Sequence, residues 1–445
     1  MKFSTFNLII PTETEGEHLL TNTMSGAVIG IDEELKSAIE EGDITALDLE
    51  TVETFSELGV VIPDNLDEYQ KFKVLYESKK YATDSLYFTV ITTYSCNLAC
   101  PYCYEGKGEL LQGTMNRNTR ERAVTFMKKK IQGTGAKEIS LVLYGGEPLL
   151  NFDDSVYIMD SLFIWAESQG IAYESVVLTN ATLVTPEIAA TLHRYRARAV
   201  QVTLDGPKRL HDKKRVYKNG KGTFDDIIEA IYTLRDHHVP VGIRINIDTE
   251  NKLYLSELLD ELEALNLRDV PVACGIITES MACRNYPLCI EEEDTRKTLD
   301  DFRKIVEEKD YTTRVERVHA PKFITCKSLG EKAYIVDPYA DIYKCLTFVG
   351  LKEHSIGHIT DTGDIEYTWA YYDWMSRDPL KLEECQKCVM LPSCGGGCAA
   401  ISFERHKTYH TCGCTDPVSE MKDQLKWFIT KRFPGDFKDG KIIWD

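Results

Sequence analysis

The sequence predicts an α/β protein built around a partial (β/α)6 barrel of the TIM-like kind. Six apolar runs typical of strands recur from residue 86 onward, and each is followed by a turn and a helical pattern. Successive βα units form a parallel sheet, and six of them are enough to curl the sheet into a partial barrel. Polar or glycine-rich residues stand at the ends of five successive runs, and most of the 14 cysteines fall into close groups. These observations predict one functional edge of the sheet and several metal centres.

The composition narrows the classes of function. The chain has 445 residues, with 71 acidic against 52 basic side chains and a formal net charge of −19. This balance argues against a nucleic-acid partner, which usually requires a basic face. We find no signal peptide and no run long enough to span a bilayer, so we expect a cytoplasmic protein without a membrane partner. Because that compartment keeps thiols reduced, the cysteines are predicted to be metal ligands rather than disulfides.

The patterns along the chain predict three domains. Residues 1–85 carry three short strand patterns, STFNLII, EHLLTN and GAVIGI, with helical patterns after them, which is the size of a winged-helix-like module. Residues 86–310 form the partial barrel. In residues 311–445 the βα alternation stops, and short strands, turns and cysteines predict a domain that metal centres help to hold together.

The first barrel strand, LYFTVITT, leads into the loop SCNLACPYCY, which holds Cys96, Cys100 and Cys103. Three thiolates on a cubic iron–sulfur cluster leave one iron without a protein ligand, and that iron can bind a small molecule. An incomplete zinc site and a cluster completed by a distant residue are the alternatives. The loop stands at the carboxyl end of its strand, where barrels of this kind carry their functional residues.

The spacing CxxxCxxC, with Tyr102 before the last cysteine, resembles the signature of the radical S-adenosylmethionine (SAM) enzymes. The resemblance implies a barrel of radical SAM type, a [4Fe-4S] cluster on the three catalytic cysteines, S-adenosylmethionine as cofactor and a 5′-deoxyadenosyl radical. It also implies a cofactor cradle at the other strand ends. Gly145, Gly146 and Glu147 would contact the methionine amino group, and Thr179 and Asn180 would add a polar contact. Thr203 and Asp205 would hold the ribose, and Arg215 would pair with the cofactor carboxylate. Tyr102 and Asn246 would complete the cradle.

The C-terminal cysteines resemble the seven-cysteine SPASM domain of peptide-modifying radical SAM enzymes. Their order is Cys326, Cys345, Cys385-x2-Cys388-x5-Cys394-x3-Cys398, and then Cys412 and Cys414. The resemblance implies two auxiliary [4Fe-4S] clusters, and so three clusters in all. Cys326, Cys345 and Cys398 would bind the first, and Cys385, Cys388 and Cys394 would bind the second together with Cys412 or Cys414. A zinc ribbon is the alternative.

Four residues depart from these two patterns. Ala340 replaces the usual glycine five residues before Cys345, so we expect a negative φ to be acceptable there. Cys274, in the sixth strand, is predicted to be a core residue. Cys283 and Cys289 lie in the loop after that strand, with either a catalytic or substrate-binding role or no function.

The N-terminal module resembles the peptide-recognition element of maturases that modify ribosomally made (RiPP) precursor peptides. The resemblance implies that an edge strand of residues 1–85 binds the leader of a precursor peptide, while its cysteine-containing core reaches the barrel mouth. A structural cap or a dimerisation module is the alternative. A low-potential reductant such as flavodoxin or ferredoxin is the other expected partner.

The combined resemblance favours a maturase that forms thioether crosslinks from cysteine to carbon, similar to sactipeptide and ranthipeptide synthases. Such a crosslink is a two-electron oxidation of which the radical removes one equivalent, so the auxiliary clusters are expected to accept the remaining electron. Two other peptide oxidations, a carbon–carbon crosslink and formylglycine formation, are alternatives with the same cofactors. Outside the enzymes, an iron–sulfur electron carrier is the alternative.

Overall fold

The computed structural model describes residues 1–12, 15–103, 111–279, 286–312, 320–414, 418, 419, 421, 422, 425, 441 and 442. The chain divides into two compact units. The first contains residues 1–82, 316–331 and 373–445, and the second contains residues 83–315 and 332–372. The segment from residue 311 to 445 therefore contributes to both units. Among the described residues, no helix has the length and apolar character needed to cross a membrane.

The first unit opens with short strands and three helices. These elements are β1 (Lys2–Phe3), β2 (Asn7–Pro11), β3 (Glu17–Asn22), β4 (Val28–Asp32), α1 (Glu33–Glu41), α2 (Leu49–Glu57), β5 (Val61–Ile62) and α3 (Glu68–Lys80). Strands β2, β3 and β4 form an antiparallel sheet, and β1 pairs with β5. Asp32, Asp48 and Asp67 accept hydrogen bonds from backbone N–H groups of the following helical turn, and this fixes where each helix begins.

The two faces of this small sheet pack against different parts of the first unit. Leu20 and Ile29 face the helices and pack with Phe55. The other face packs against the C-terminal part of the same unit, where the contacting side chains are Leu8, Ile10, Leu19 and Val28 on the sheet and Met390, Met421 and Leu425 opposite. The sheet is therefore buried on both faces, and strand pairing is possible only at its edges.

The described part of the second unit holds one ten-stranded sheet. Its elements are β6 (Ser85–Ile91), α4 (Arg117–Thr134), β7 (Glu138–Tyr144), α5 (Phe152–Ser168), β8 (Ala172–Leu178), α6 (Pro186–Arg194), β9 (Ala197–Thr203), α7 (Lys208–Lys214), α8 (Phe224–Asp236), β10 (Val241–Ile247), α9 (Leu255–Ala264), β11 (Val272–Ile276), α10 (Thr295–Glu308), β12 (Ala333–Val336), β13 (Asp341–Tyr343), β14 (Gly357–Ile359) and β15 (Ile365–Tyr367). The order is β11-β10-β9-β8-β7-β6-β12-β13-β14-β15, and β6 to β11 run parallel. The predicted α/β fold with a large parallel sheet is confirmed.

Residues along the parallel strands alternate between two environments. In β10, Ile243 and Ile245 are buried in the hydrophobic core, whereas Arg244 and Asn246 are half-buried. Because successive side chains of a strand point to opposite faces, these polar residues lie on the face away from that core. The sheet thus presents polar groups on one side, close to the carboxyl ends of its strands.

The turn between β12 and β13 corrects one expectation. Ala340 has a φ of 67°, so the expectation of a negative φ at this position is wrong. The turn is closed by hydrogen bonds from Ala340 N to Asp337 O over 3.1 Å and from Asp337 N to Asp341 O over 3.0 Å. This tight closure holds the alanine in a left-handed conformation, at a cost of about 1 kcal/mol.

The remaining elements are short. They are α11 (Trp369–Met375), α12 (Leu391–Cys394), α13 (Ala399–His406) and β16 (Lys441–Ile442). Strand β16 pairs antiparallel with β4, with Lys441 opposite Ile29. The edge of β4 therefore accepts a further strand.

Candidate active site

The structure places the predicted site residues at the carboxyl ends of five adjacent parallel strands. The three-cysteine loop follows β6, the Gly145–Glu147 segment follows β7, Thr179 and Asn180 follow β8, Thr203 and Asp205 stand at the end of β9, and Asn246 lies near the end of β10. Because these strands are neighbours in the sheet, their ends share one edge. The residues are thus brought together by the sheet order.

The cysteine loop is anchored by hydrogen bonds to other parts of the second unit. Ala99 N donates to Val216 O over 2.8 Å, just after Arg215 in the chain. The Cys96 sulfur accepts hydrogen bonds from Leu98 N at 3.4 Å and from the Asn180 amide at 3.7 Å. The orientation of Cys96 is therefore fixed both by its own loop and by the end of β8.

Burial keeps the thiols of Cys96 and Cys100 protonated while they carry no metal. It raises the pKa of Cys96 to about 12 and that of Cys100 to about 11. Binding to iron requires thiolates, so each sulfur would release its proton on coordination. Among the described residues, no group of three or more His, Cys, Asp or Glu side chains is arranged to hold a single metal ion. The cubic cluster on Cys96, Cys100 and Cys103 stays a prediction.

Gly145 and Gly146 allow the end of β7 to pack directly on the backbone that leads into the cysteine loop. A Cβ at Gly145 would lie 2.3 Å from Thr93 O, and a Cβ at Gly146 would lie 2.3 Å from Ser95 O. Glu147 N then donates to Ser95 O over 2.9 Å. The first physical reason for the glycine pair is therefore this close backbone packing, which sets the position of the loop.

Glu147 connects the ends of β7 and β8. Its carboxylate is fully buried and accepts hydrogen bonds from Thr179 Oγ1 at 2.7 Å, Asn180 N at 2.7 Å and Leu149 N at 2.9 Å. Burial raises the pKa of Glu147, and these donors oppose that shift. Contact with a methionine amino group stays a prediction, since the carboxylate already has three partners in the chain.

Asn180 links the end of β8 to the cysteine loop by a hydrogen bond. Its amide nitrogen donates to Asn97 Oδ1 over 2.8 Å, and Asn97 in turn donates to Thr182 Oγ1 over 2.8 Å. Sequence reasoning missed Asn97 and Thr182, although Asn97 stands inside the loop that it singled out. The available signal was the position of Asn97 beside Cys96.

Tyr102, Asp205 and Arg215 form a buried cluster. The Tyr102 hydroxyl donates to Asp205 Oδ2, and Arg215 Nη1 donates to Tyr102 Oη over 2.7 Å. Asn246 N donates to Asp205 Oδ1 over 2.8 Å. Burial raises the pKa of Asp205, and the Arg215 guanidinium opposes that shift. A ribose at Asp205 would have to share this carboxylate with Tyr102.

Arg215 keeps one donor without a partner. Its side chain is buried, and its Nη1 atom lies 3.8 Å from Asp205 Oδ2. Its Nε atom is buried and has no hydrogen-bond partner among the described residues. A buried, unsatisfied N–H costs about 1–3 kcal/mol, more when it belongs to a charged group. A carboxylate bound beside it would remove that cost, so Arg215 fits the role that the resemblance assigns to it.

Sequence reasoning also missed a buried ion pair next to this cluster. Lys214 Nζ and the Tyr286 hydroxyl both donate to Asp248 Oδ2, the latter over 2.6 Å. The Tyr286 ring meets the Tyr102 ring edge to face, with 5.9 Å between the centroids. Asp248 comes just after β10, so its position at a strand end was the signal for it.

A second group of thiols lies in the first unit. The sulfurs of Cys385 and Cys412 are 3.8 Å apart. Burial raises the pKa of Cys385, and the sulfurs of Cys412, Cys394 and Cys388 add to that shift. Burial likewise raises the pKa of Cys388 and of Cys394. The sulfurs of Cys385 and Cys412 are therefore in contact, and those of Cys388 and Cys394 lie within electrostatic range of them.

The backbone of Cys414 lies next to the segment that carries Cys398. Gly397 and Gly413 form an isolated bridge, and a Cβ at Gly397 would lie 3.0 Å from Cys414 N. Cys326 and Cys398 belong to the first unit and Cys345 to the second. Ligation of a cluster by these three cysteines stays a prediction.

The remaining cysteines differ in surroundings. Cys274 packs against the hydrophobic core of the second unit, as predicted, and burial raises its pKa to about 11. Cys289 is half-buried, and Cys283 lies outside the described residues. None of the 13 described cysteines forms a disulfide.

The fold and the strand-end site define a class of protein. The chain matches the Radical SAM superfamily over residues 90–262, which contain the three-cysteine loop and the strand ends from β7 to β10. Residues 90–262 are therefore a radical SAM domain. The family implies S-adenosylmethionine and a [4Fe-4S] cluster as cofactors.

The chain is similar to several maturases. A serine-type anaerobic sulfatase-maturating enzyme of Klebsiella aerogenes is 26% identical, and the match covers 69% of this chain and 77% of that enzyme. The mycofactocin maturase MftC of Mycolicibacterium smegmatis is 25% identical over 70% of this chain and 77% of its own length. The radical SAM cyclopropyl synthase TigE of Paramaledivibacter caminithermalis is 20% identical over 78% and 75%.

Solved structures share the fold. The anSMEcpe protein with bound AdoMet and the Cp18Cys peptide has a TM-score of 0.57 at 17% identity, and the match covers 78% of this chain and 97% of that chain. Streptococcus suis SuiB bound to its precursor peptide SuiA has a TM-score of 0.55 at 15% identity, over 93% of this chain and 99% of SuiB. At these identities, the likeness shows a common fold.

Proposed function

We propose that this radical SAM enzyme is a peptide maturase that joins a cysteine sulfur to a carbon atom within a ribosomally made precursor peptide. The observation that carries the proposal is a second group of thiols, formed by the buried Cys385 and the half-buried Cys388, Cys394 and Cys412, in a chain that already contains a radical SAM domain. Four cysteines at one place are a ligand set for an iron–sulfur cluster. A thioether synthase has a chemical need for such a cluster.

The need follows from the balance of electrons. A thioether replaces one C–H and one S–H bond by a C–S bond, so the peptide loses two hydrogen atoms. The 5′-deoxyadenosyl radical takes a hydrogen atom from carbon. Attack of the thiol on the carbon radical then forms the C–S bond and releases a proton and one electron. The C-terminal cysteines are the residues that would hold an acceptor for that electron.

The chain's own residues would prepare this reaction at the strand ends. Bound S-adenosylmethionine supplies the radical by reductive cleavage at a cluster that Cys96, Cys100 and Cys103 would hold. Arg215, with its unpartnered Nε, would bind the cofactor carboxylate. Glu147 would hold Asn180 against Cys96, and so keep the cysteine loop in place. A reductant such as flavodoxin or ferredoxin would supply the electron for each cleavage.

The edge of β4 is the proposed binding site for the leader peptide. Both faces of the β2–β4 sheet are covered, whereas the edge of β4 pairs with β16, and another strand could pair there in place of β16. An extended peptide could add to this edge through main-chain hydrogen bonds. The named relatives are consistent with a peptide substrate, since SuiB was solved with a precursor peptide and anSMEcpe with the Cp18Cys peptide.

Oxidation of a single residue in a protein substrate is the second candidate function. The similarity to a sulfatase-maturating enzyme favours it, and carbon–carbon crosslinking uses the same cofactors. The three reactions differ in what becomes of the substrate cysteine. Its sulfur is bonded to carbon in a thioether and stays a free thiol next to a carbon–carbon link, whereas oxidation of a serine removes two hydrogen atoms and leaves an aldehyde that reacts with a hydrazide.

Co-expression with a small cysteine-rich peptide encoded beside the gene tests the proposal. The peptide is reduced, treated with iodoacetamide or a hydrazide and analysed by mass spectrometry, beside a peptide made with the Cys96→Ala, Cys100→Ala and Cys103→Ala triple variant. We expect a loss of two hydrogen atoms per crosslink, with the linked cysteine resistant to alkylation. A modified peptide that still alkylates fully, or that reacts with the hydrazide, would contradict thioether formation.

A further inference from the structure

Arg377 is a buried cation among the C-terminal cysteine loops. Its side chain is 1% exposed, and no carboxylate among the described residues forms an ion pair with it. Nη1 donates to Tyr409 O and, over 3.0 Å, to Thr411 O, while Nη2 donates to Gly396 O over 2.5 Å. Its Nε atom is buried and has no hydrogen-bond partner in the part of the chain that the structure describes. Within that part, the guanidinium therefore donates its hydrogen bonds to neutral carbonyl oxygens.

These carbonyl groups belong to the loops that carry the cysteines. Gly396 lies between Cys394 and Cys398, and Thr411 directly precedes Cys412. One guanidinium thus holds two chain segments that supply thiols to the group around Cys385. Since its planar fork has five N–H donors, no other side chain can make the same set of contacts.

The backbone of Arg377 is itself held in place. Its carbonyl oxygen accepts hydrogen bonds from the Tyr76 hydroxyl and from Lys80 Nζ, each at 2.9 Å. Lys80 is buried and also donates to Met375 O. Helix α3 therefore fixes the segment from which the guanidinium reaches the cysteine loops.

A buried cation without a counter-charge is unfavourable by several kcal/mol. Burial lowers the pKa of Arg377, and the sulfurs of Cys385, Cys412 and Cys398 oppose that shift when they are thiolates. Cys412 directly follows Thr411, whose carbonyl oxygen accepts a hydrogen bond from Arg377 over 3.0 Å. Coordination converts such thiols to thiolates, and the negative charge that Arg377 lacks then lies beside it.

We propose that Arg377 is a positioning residue for the auxiliary cluster of Cys385, Cys388, Cys394 and Cys412, and that its fixed positive charge raises the reduction potential of that cluster. The inference rests on the proposed function, which puts a cluster there. Reduction adds negative charge to a cluster, so a nearby buried cation stabilises the reduced form. A higher potential favours acceptance of the electron that thioether formation releases.

The test is a redox titration that is monitored by electron paramagnetic resonance. All chains in it also carry Cys96→Ala, Cys100→Ala and Cys103→Ala, so that only auxiliary clusters contribute to the signal. Arg377→Met and Arg377→Gln remove the charge, and Arg377→Lys keeps it. Lys387→Gln is the matched control, because Lys387 lies between Cys385 and Cys388 in the chain but is exposed to solvent. We expect lower midpoint potentials in the two neutral variants, and potentials close to the parent in the lysine variant and the control.

Failure of the inference and failure of the proposed function give different results. If the parent chain holds no auxiliary iron, the proposed function fails, and the inference with it. If the parent holds auxiliary clusters but Arg377→Met and Arg377→Gln titrate at its potential, only the inference is overturned. It is also overturned if Arg377→Lys, which keeps the positive charge, holds auxiliary iron but shifts its potential as far as Arg377→Met. Neutral variants that cannot hold the iron, beside a lysine variant that can, would support it.

Discussion

Gly146 is a position at which the candidate site has no room for a side chain. A Cβ there would lie 2.3 Å from Ser95 O and 2.4 Å from Tyr94 O, and both are backbone atoms that cannot turn away. In Gly146→Ala the segment leading to Cys96 must shift, so we expect cleavage of S-adenosylmethionine to fall by roughly a hundredfold. Release of 5′-deoxyadenosine from the reconstituted enzyme measures the loss.

Gly133 supplies the matched control for that change. It lies in α4, and no atom stands within 4 Å of the Cβ that alanine would add. Gly133→Ala should leave cleavage unchanged and stabilise the helix by up to about 1 kcal/mol. Equal cleavage by the two alanine variants would contradict the proposed link between the glycine pair and the cysteine loop.

Asp337 makes the stability of the second unit depend on pH. Its carboxylate is buried and accepts a hydrogen bond from the Tyr94 hydroxyl over 2.9 Å, and burial raises its pKa from 3.8 to about 6. At a pH between these two pKa values, Asp337 has lost its proton in the unfolded chain but keeps it in the folded chain. The free energy of unfolding should therefore fall as the pH rises through this range, by up to about 3 kcal/mol.

Urea unfolding of the iron-free protein at about pH 4 and about pH 7, beside Asp337→Asn, checks this pH dependence. The asparagine cannot titrate, so the variant should lose less stability than the parent between the two pH values. The same loss in both proteins would show that the Asp337 carboxyl has no raised pKa.

At the scale of elements, the loops around the C-terminal cysteines separate Cys412 from Cys414. The Cys412 sulfur lies 3.8 Å from that of Cys385, whereas Cys414 approaches the Cys398 segment through its backbone. We expect Cys412→Ala to lose the iron of one cubic cluster, about four atoms per chain, and Cys414→Ala to keep it. Iron analysis with electron paramagnetic resonance measures both, and the opposite pattern would reverse the assignment.

The edge of β4 allows a prediction about peptide binding. Strand β16 pairs with β4 at the edge proposed for the leader, so the two strands would compete for the same backbone groups. Removal of residues 441–445 should therefore tighten binding of a fluorescent leader peptide, measured by anisotropy with the full chain as reference. A leader with proline at alternate positions, which cannot pair along the strand, should bind neither protein. Unchanged affinity after truncation would exclude the β4 edge.

The elements that sequence reasoning predicted are those governed by local patterns. The six parallel strands coincide with apolar runs of the sequence. The glycine and cysteine segments come directly after strands, and they lie together because parallel strands place their carboxyl ends at one edge. The contacts that depend on distant partners were not predictable in this way. Glu147 accepts a hydrogen bond from Thr179 at the end of the neighbouring strand, and Arg377 donates one to the backbone of Thr411 in a later loop. The positive φ of Ala340 depends on hydrogen bonds within its turn that composition does not reveal.

At the scale of the whole molecule, discontinuous segments build each compact unit. Residues 1–82 join residues 373–445, and residues 332–372 join the barrel. The three consecutive domains expected from the sequence stay a prediction, whereas packing within each compact unit joins segments that are far apart in the chain. Helix α3 and the C-terminal cysteine loops are in contact in the first unit, through Lys80 and Arg377.

Deuterium transfer from peptide to cofactor is the most direct test of the central claim that this radical SAM enzyme oxidises a precursor peptide. The reconstituted, reduced enzyme would be mixed with S-adenosylmethionine and a precursor peptide deuterated at carbon, and the 5′-deoxyadenosine analysed by mass spectrometry. We predict one deuterium in the 5′-deoxyadenosine for each crosslink formed, since the radical takes its hydrogen from a peptide carbon. Cleavage of S-adenosylmethionine that leaves the 5′-deoxyadenosine free of deuterium while the peptide stays unaltered would contradict the account.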